Sequence, residues 1–436
     1  MDPATLAGLT LLIGFIIGIA FSVPIAVVIG TVSFLAAIPL LGMQEAALIS
    51  AQQMFTGINS FSLLAIPLFV LAGVIMNNGG IAGRLVDAAK VVTGRLPASM
   101  AQTNVVANGL FGSVSGAAVA SAAAVGTVMN PRMVQEGYDR RFSAAVNISS
   151  APAGMLLPPS NTFIVYALIS GSSIAALFMA GVVPGILWVL ACMVVVHVYA
   201  MRQPGRLRTT ERVTFLQALA VLWRAAPAML MIVIVIGGII AGFFTATESA
   251  AIAVVYCLVL AAIYRTIRVR ELPLILVNAG RTTAIVMLLV GVSSVLSFVL
   301  SFARIPPLIS DFVLGFTESE IVVLLLMMAV MITVGTFMDP TPAILIFVPI
   351  FLPIAMEFGI DPVHFGTMVV MNLSLGVITP PIGNVLFIGV RVARLRIESV
   401  IRRLWPFFLA ILLVLLFVVF VPELSLTLPR LTGLMD

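Results

Sequence analysis

Apolar residues along this chain come in blocks of about 18 or more, each long enough to cross ~30 Å of hydrocarbon as a helix. Short polar or basic segments separate the blocks. They predict membrane helices near 5–21, 24–41, 61–78, 139–169, 174–201, 227–246, 249–264, 282–302, 359–391 and 404–422, roughly ten crossings. Two further apolar stretches, 98–134 and 320–357, carry Gly, Ser, Asp and Pro near their centres. A helix breaks at such residues, so each stretch reads as a hairpin of two half-length helices. The segments 79–97 and 303–319 are too short or too charged to cross and predict arms along the membrane surface.

The pattern occurs twice. At an offset of 222 residues, Pro131 matches Pro353, Gly137 matches Gly359, Asp139 matches Asp361 and Gly154 matches Gly376. Pro158-Pro159 matches Pro380-Pro381 at the same offset. A Gly followed four residues later by Pro-Pro cannot continue as plain helix, since each proline lacks a donor and clashes with the preceding turn. The spans holding these pairs therefore predict broken helices. Paired Gly/Pro interruptions in two halves of an apolar chain are the sequence mark of a carrier's binding region. The units expected are scaffold helices 1–78, arm 79–97, first hairpin 98–134, broken helix 137–172, scaffold helix 173–201 and linker 202–226. The second set is scaffold helices 227–302, arm 303–319, hairpin 320–357, broken helix 359–395 and final helix 397–422.

Composition agrees: 61% apolar and only 9% charged residues exclude a soluble domain and disorder. The apolar start, Leu6 to Ala20, lacks a basic flank and predicts a retained helix instead of a signal peptide. Cys192 and Cys257 lie in apolar runs, as packing residues do, and two histidines are too few for a metal site. Of the 22 basic residues, all but Lys90 arginine, only Arg304 and Arg430 lie outside clusters at 84–95, 132–141, 202–224, 265–281 and 391–403. The positive-inside rule places those clusters in the cytoplasm. Both ends of the first hairpin are then cytoplasmic, so it is re-entrant, with a tip near Phe111–Gly116. The second hairpin has Glu318, Glu320, Glu357 and Asp361 at its flanks and no Lys or Arg. It is expected to enter from the opposite face, with a tip at Gly335–Pro342, which makes the repeats inverted. Both termini are expected to be periplasmic.

Non-helical backbone at membrane depth survives only where protein or a water-filled cavity covers it. Two tips and two breaks meet that description. Unwound carbonyls and hydroxyls suit a dehydrated alkali cation, and oxygen donors without a crowd of acids favour Na⁺. The first site draws on Ser113, Ser115, Gly116 and Gly154; the second on Gly335, Gly376, Thr379 and the Ile382 carbonyl. Half-helix N-termini suit a carboxylate, which makes Asn147, Pro158, Pro159, Ser160, Asp339, Pro380, Pro381 and Asn384 the candidate substrate contacts. Each has a plainer alternative. Ser and Gly also mediate close helix packing, the asparagines also bond between helices, and Thr379 also bonds its own backbone. Asp339 is either a ligand or a helix cap.

The strings Ser62-Leu-Leu-Ala-Ile-Pro-Leu-Phe69, Gly79-Gly-Ile, Gly112-Ser-Val-Ser-Gly116, Gly154-Met-Leu-Leu-Pro-Pro-Ser160 and Gly376-Val-Ile-Thr-Pro-Pro-Ile-Gly383 carry a resemblance. Together they resemble the large (DctM-type) membrane subunit of TRAP, the tripartite ATP-independent periplasmic transporters, over almost the whole chain. The resemblance implies an all-α polytopic protein of two inverted repeats, an elevator-type member of the ion-transporter superfamily. It implies uptake of an organic acid, such as a C4-dicarboxylate or sialic acid, driven by a sodium gradient across the bacterial inner membrane. It also implies Na⁺ bound at the positions named above. The implied partners are a periplasmic substrate-binding protein and a small four-helix membrane subunit, expected as a separate chain. Ile382 stands where the family often has Met, and a backbone ligand survives that change.

A single-component sodium–carboxylate symporter shares the hairpin plan and is the nearest rival; the Gly-Ser-Val-Ser-Gly tip argues against it. A catalytic reading lacks any nucleophile–base pair or paired intramembrane acids, and nothing points to nucleic acid. A channel should place polar rings along a pore, whereas polar residues here gather at two breaks.

Overall fold

The computed structural model describes residues 2–21, 23–79, 81–202, 215–314 and 319–435, and every element among them is helical. Nine helices are long and apolar enough to cross a membrane, ten if the bent pair Arg140–Leu156 and Asn161–Ser170 counts as one span. That agrees with a multi-pass membrane protein, though the members differ from those expected. Ile25–Leu41 is an apolar helix of 17 residues, while both halves of the second hairpin reach 18.

The 222-residue offset governs helix boundaries as well as single residues. The first hairpin comprises Ser99–Ser115 and Ala118–Gln135; the second comprises Glu320–Phe337 and Pro340–Glu357. Three of those four boundaries coincide at the offset. The broken helices start at Arg140 and Pro362, and their second halves at Asn161 and Asn384. The local causes match too. Asp139 caps the first through the Arg141 N–H at 3.0 Å, and Asp361 caps the second through the Val363 N–H at 2.7 Å. At the first break Leu157 is extended, as a residue before proline must be, and the halves meet at 43°. Both proline pairs, Pro158-Pro159 and Pro380-Pro381, have cis peptide bonds.

Three elements depart from expectation. An amphipathic helix, Met43–Ile58, fills the stretch between the expected spans 24–41 and 61–78, because the exposed Gln44, Glu45, Gln52 and Thr56 dilute its apolar signal. Leu272–Phe302 is a single helix of 31 residues, starting well before the expected 282. Phe215–Ile240 takes up the end of the expected linker 202–226. The expected linker arginines Arg206, Arg208 and Arg212, with Gly80 and Glu318, lie outside the described residues.

The two broken helices pack antiparallel. Arg140, at the start of the first, donates to the Ala393 carbonyl at the end of the second, at 3.1 Å. Tyr166, near the end of the first, donates to the Pro362 carbonyl at the start of the second, at 2.6 Å. Each hairpin's second helix lies against the second half of the other repeat's broken helix. Each hairpin's first helix instead packs on its own break. Gly112 and Gly154 meet backbone to backbone: a Cβ at Gly112 would stand 2.5 Å from the Gly154 Cα. Gly335 and Gly376 repeat the contact, with a Cβ at Gly376 2.6 Å from the Gly335 Cα.

Polar side chains secure the interior of the first hairpin. The Asn108 amide donates to Asn104 at 2.9 Å, to Asn147 at 3.1 Å and to Ser150 at 2.8 Å, while Ser121 donates to Asn108 at 2.8 Å. Helix Ile174–Met201 closes over the first break, where the Trp188 indole donates to the Ser149 carbonyl at 2.9 Å.

Substituting Gly154 or Gly376 by alanine should drive the hairpin off its break and cost about 1–3 kcal/mol, as overpacking does. Gly280→Ala, where a Cβ meets nothing within 4 Å, should be neutral or stabilising. Thermal unfolding of the purified protein in detergent separates the two outcomes. Asn108→Leu strands several buried polar partners and should cost about 1–3 kcal/mol in the same measurement.

Candidate functional site

Four helix N-termini open on one cavity. The cavity, about 450 Å³, is lined by Gly116 to Val119, Asn161 and Thr162, Asp339 to Pro342, and Asn384 and Val385. These are the starts of Ala118–Gln135, Asn161–Ser170, Pro340–Glu357 and Asn384–Ala393. Both hairpin tips and both breaks therefore meet at one place. Each N-terminus carries unpaired N–H groups and roughly half a positive charge from its helix dipole. No Lys or Arg lines the cavity among the described residues. Its positive field is thus a backbone field. The opposite wall is apolar and comes from other helices: Ile25, Ile66 and Val70, with Ile285, Val286 and Leu289 around Thr282.

Asp339 is the one charged side chain in the lining. It caps Pro340–Glu357 by accepting the Thr341 N–H at 3.3 Å, and Asn384 lines the same cavity. Its side chain is exposed and opens on the cavity. Both sequence readings of Asp339 thus describe the same geometry.

The expected cation donors sit around the two tip–break contacts. Ser113 donates to the Leu110 carbonyl at 2.9 Å, Ser115 to the Ala117 carbonyl at 3.4 Å and Thr379 to the Leu375 carbonyl at 2.7 Å. A hydroxyl with its hydrogen committed still offers lone pairs, so these oxygens are oriented as acceptors for a cation. Gly116 holds a left-handed turn at φ +62°, where a Cβ would press on Asn161 at 3.2 Å. Gly154, Gly335 and Gly376 serve the close packing described above. No group of three or more His, Cys, Asp or Glu that could hold a metal occurs among the described residues. The donor chemistry fits an alkali cation better than a transition metal.

The remaining expected residues divide. Asn384 joins the cavity. Asn147 does not: it is fully buried where the first broken helix packs on the first hairpin, donating to the Ala122 carbonyl at 2.8 Å. Pro158, Pro159 and Ser160 are buried, and Ser160 caps Asn161–Ser170 through the Phe163 N–H at 3.4 Å. Pro380 and Pro381 are partly open, and Ile382 is 40% exposed. Thr282 and the apolar wall were missed, because a cavity-facing Ile or Val in a span has the same sequence signature as a lipid-facing one.

Comparison with known proteins bears on this geometry. The family model described as "Tripartite ATP-independent periplasmic transporter, DctM component" matches residues 12–424. A Salmonella typhimurium protein, YgiK, named as uncharacterised, is 50% identical over 418 residues, 96% of each chain. The C4-dicarboxylate TRAP transporter large permease protein DctM of Pseudomonas aeruginosa is 38% identical, covering 88% of this chain and 90% of its own. Among solved structures, the Alcanivorax borkumensis YdaH transporter superposes with a TM-score of 0.66 at 13% identity, over 96% of this chain and 98% of that one. That last likeness is one of fold.

Asp339→Asn keeps a capping side chain and should leave stability near wild type, whereas Asp339→Ala should cost about 1 kcal/mol from the lost cap. Thermal unfolding in detergent compares them.

Proposed function

This chain belongs to the DctM component family of the tripartite ATP-independent periplasmic transporters, and from that premise we propose sodium-driven uptake of an organic acid. It is a transporter component, not an enzyme. The observation that carries the reading is the convergence of four helix N-termini on one cavity that no basic side chain lines. A carboxylate placed there accepts hydrogen bonds from N–H groups that have no partner within their helices. Asn161 and Asn384 would orient the acid, and the wall of Ile66, Val70 and Ile285 would face its apolar part.

Sodium supplies the remaining charge balance. Asp339 and an incoming carboxylate repel each other in a low-dielectric cavity, and a cation held by nearby oxygens offsets that repulsion. The oxygens proposed are Ser113, Ser115 and the carbonyls around Gly116 and Gly154 at the first tip. At the second they are Thr379 and the carbonyls around Gly335, Gly376 and Ile382. Asp339 couples the two ligands by facing the cavity both occupy.

The transport step we infer is an elevator motion of an inverted repeat. Support comes from the antiparallel crossing of the broken helices, since two repeats of like fold that run antiparallel present opposite faces. The hairpins and broken helices bond mainly to one another, while the opposite wall, from the spans around Ile66 and Ile285, is apolar and able to slide. The basic clusters would face the cytoplasm, the termini the periplasm, and the membrane would be the bacterial inner membrane. Selection of the acid falls to a periplasmic binding protein, and a small membrane subunit completes the assembly.

Proteoliposomes holding this chain and its small subunit test the reading. Uptake of labelled organic acids is expected only with an inward sodium gradient and the cognate binding protein. Uptake that ignores sodium overturns it, and sodium-driven uptake without the binding protein makes the chain a single-component symporter. Thr379→Val or Ser115→Ala should raise the half-saturating sodium concentration about tenfold, equivalent to about 1.4 kcal/mol. Asp339→Asn should abolish sodium dependence while keeping the fold.

A further inference from the structure

A second, larger cavity lies away from the four N-termini and shares no lining residue with them. It occupies about 680 Å³ between the end of Ala118–Gln135, the start of the first broken helix and the end of the second. Arg140, Arg391 and Arg394 all line it, and no carboxylate does among the described residues. Arg140 gives one guanidinium bond to the Ala393 carbonyl. Neither Arg391 nor Arg394 has an acidic partner among the described residues; Asp139, next to Arg140 in the chain, pairs with Arg403 at 3.2 Å. Three like charges at one cavity repel one another and call for a counter-charge.

A second observation is independent of the arginines. Asn130 lines the same cavity, is only 6% exposed, and neither its amide nitrogen nor its amide oxygen has a hydrogen-bond partner. A buried amide left without partners costs about 1–3 kcal/mol. Its place beside three guanidiniums marks a polar ligand position.

We propose that this cavity binds a phosphate group. A tetrahedral anion offers oxygens to several guanidinium forks at once, whereas a carboxylate has only two oxygens. The groove next to it favours the headgroup of an anionic phospholipid as the source. That groove, about 540 Å³, shares Arg391, carries Arg396 and Glu398 at its rim, and is otherwise walled by Phe387, Ile388, Val390, Leu395 and Ile397, apolar residues suited to an acyl chain. Basic pockets between membrane helices hold headgroups in this way. The ligand would bridge the repeats, since Arg140 belongs to the first and Arg391 and Arg394 to the second. It would clamp the two broken helices together on the face opposite the substrate's entry from the periplasm.

The test uses the delipidated protein in detergent, with its thermal midpoint followed against inorganic phosphate, phosphatidylglycerol, and chloride at matched ionic strength. A rise with phosphatidylglycerol alone identifies a lipid headgroup; a rise with inorganic phosphate identifies a soluble phosphate; both support the site. The double variant R391Q/R394Q should lose about tenfold in apparent affinity for the active probe. The charge-matched variant R265Q/R268Q should keep the wild-type response. Asn130→Leu removes the unpartnered amide, so without probe it should be as stable as wild type or more so, and its response to probe should fall. That variant decides the matter if R391Q/R394Q does not fold. No rise beyond chloride with either probe, or a rise that survives both R391Q/R394Q and Asn130→Leu, overturns the proposal.

Discussion

The structure depends on one constraint: broken backbone inside a membrane must be covered, and its free N–H groups must face something that can accept them. Four helices begin at the same cavity, and each leaves several N–H groups without a partner in its own helix. Ser160 and Asp339 satisfy two of those ends in part, through Phe163 and Thr341. The rest are left to solvent or ligand. A site built from N-termini in place of arginines would hold an anion through many weak donors. That is compatible with release, since a bidentate arginine pair at the same place would hold a carboxylate far more tightly.

The glycine contacts follow from that constraint. A tip covers a break only if the two backbones touch, and they touch only where neither residue has a Cβ. Gly112 with Gly154, and Gly335 with Gly376, meet the requirement in both repeats. The antiparallel crossing does the complementary work. Arg140 with Ala393 and Tyr166 with Pro362 tie the two breaks at opposite ends, so the four tips and breaks form one packed body. The apolar wall contributed by Ile66, Val70 and Ile285 makes no such directional bonds to it.

The body was legible in the sequence and the wall was not, for a physical reason. Gly-x-x-x-Pro-Pro and Gly-Ser-Val-Ser-Gly are conformational instructions, and a chain that carries them inside apolar runs has few ways to fold. Their offset of 222 residues also predicted the helix boundaries that the structure repeats. A wall residue such as Ile285 carries no instruction, because lipid and cavity both accept isoleucine. Asn147 shows the opposite ambiguity. Its polarity marked it as a ligand contact, but the same polarity serves a network with Asn108 and the Ala122 carbonyl inside the hairpin. Met43–Ile58 went unseen because its pattern is that of a half-buried helix, too polar to read as a span.

The repeats are similar in path but unequal in exposure, and the difference traces to one helix in each. The first break is sealed because Gly181 and Gly185 let Ile174–Met201 approach Leu156 and Leu157. At the 222-residue offset those glycines become Arg403 and Phe407 in the final helix. Side chains of that size do not allow the close approach that a glycine does. They are used elsewhere: Arg403 pairs with Asp139, and the Phe407 ring packs 6.1 Å from that of Phe142. Both contacts reach back to the start of the first broken helix. The final helix thus braces repeat 1 while also packing on the first half of the second broken helix, and Ile382 and Pro381 stay open. A duplicated fold has in this way acquired one covered break and one open break.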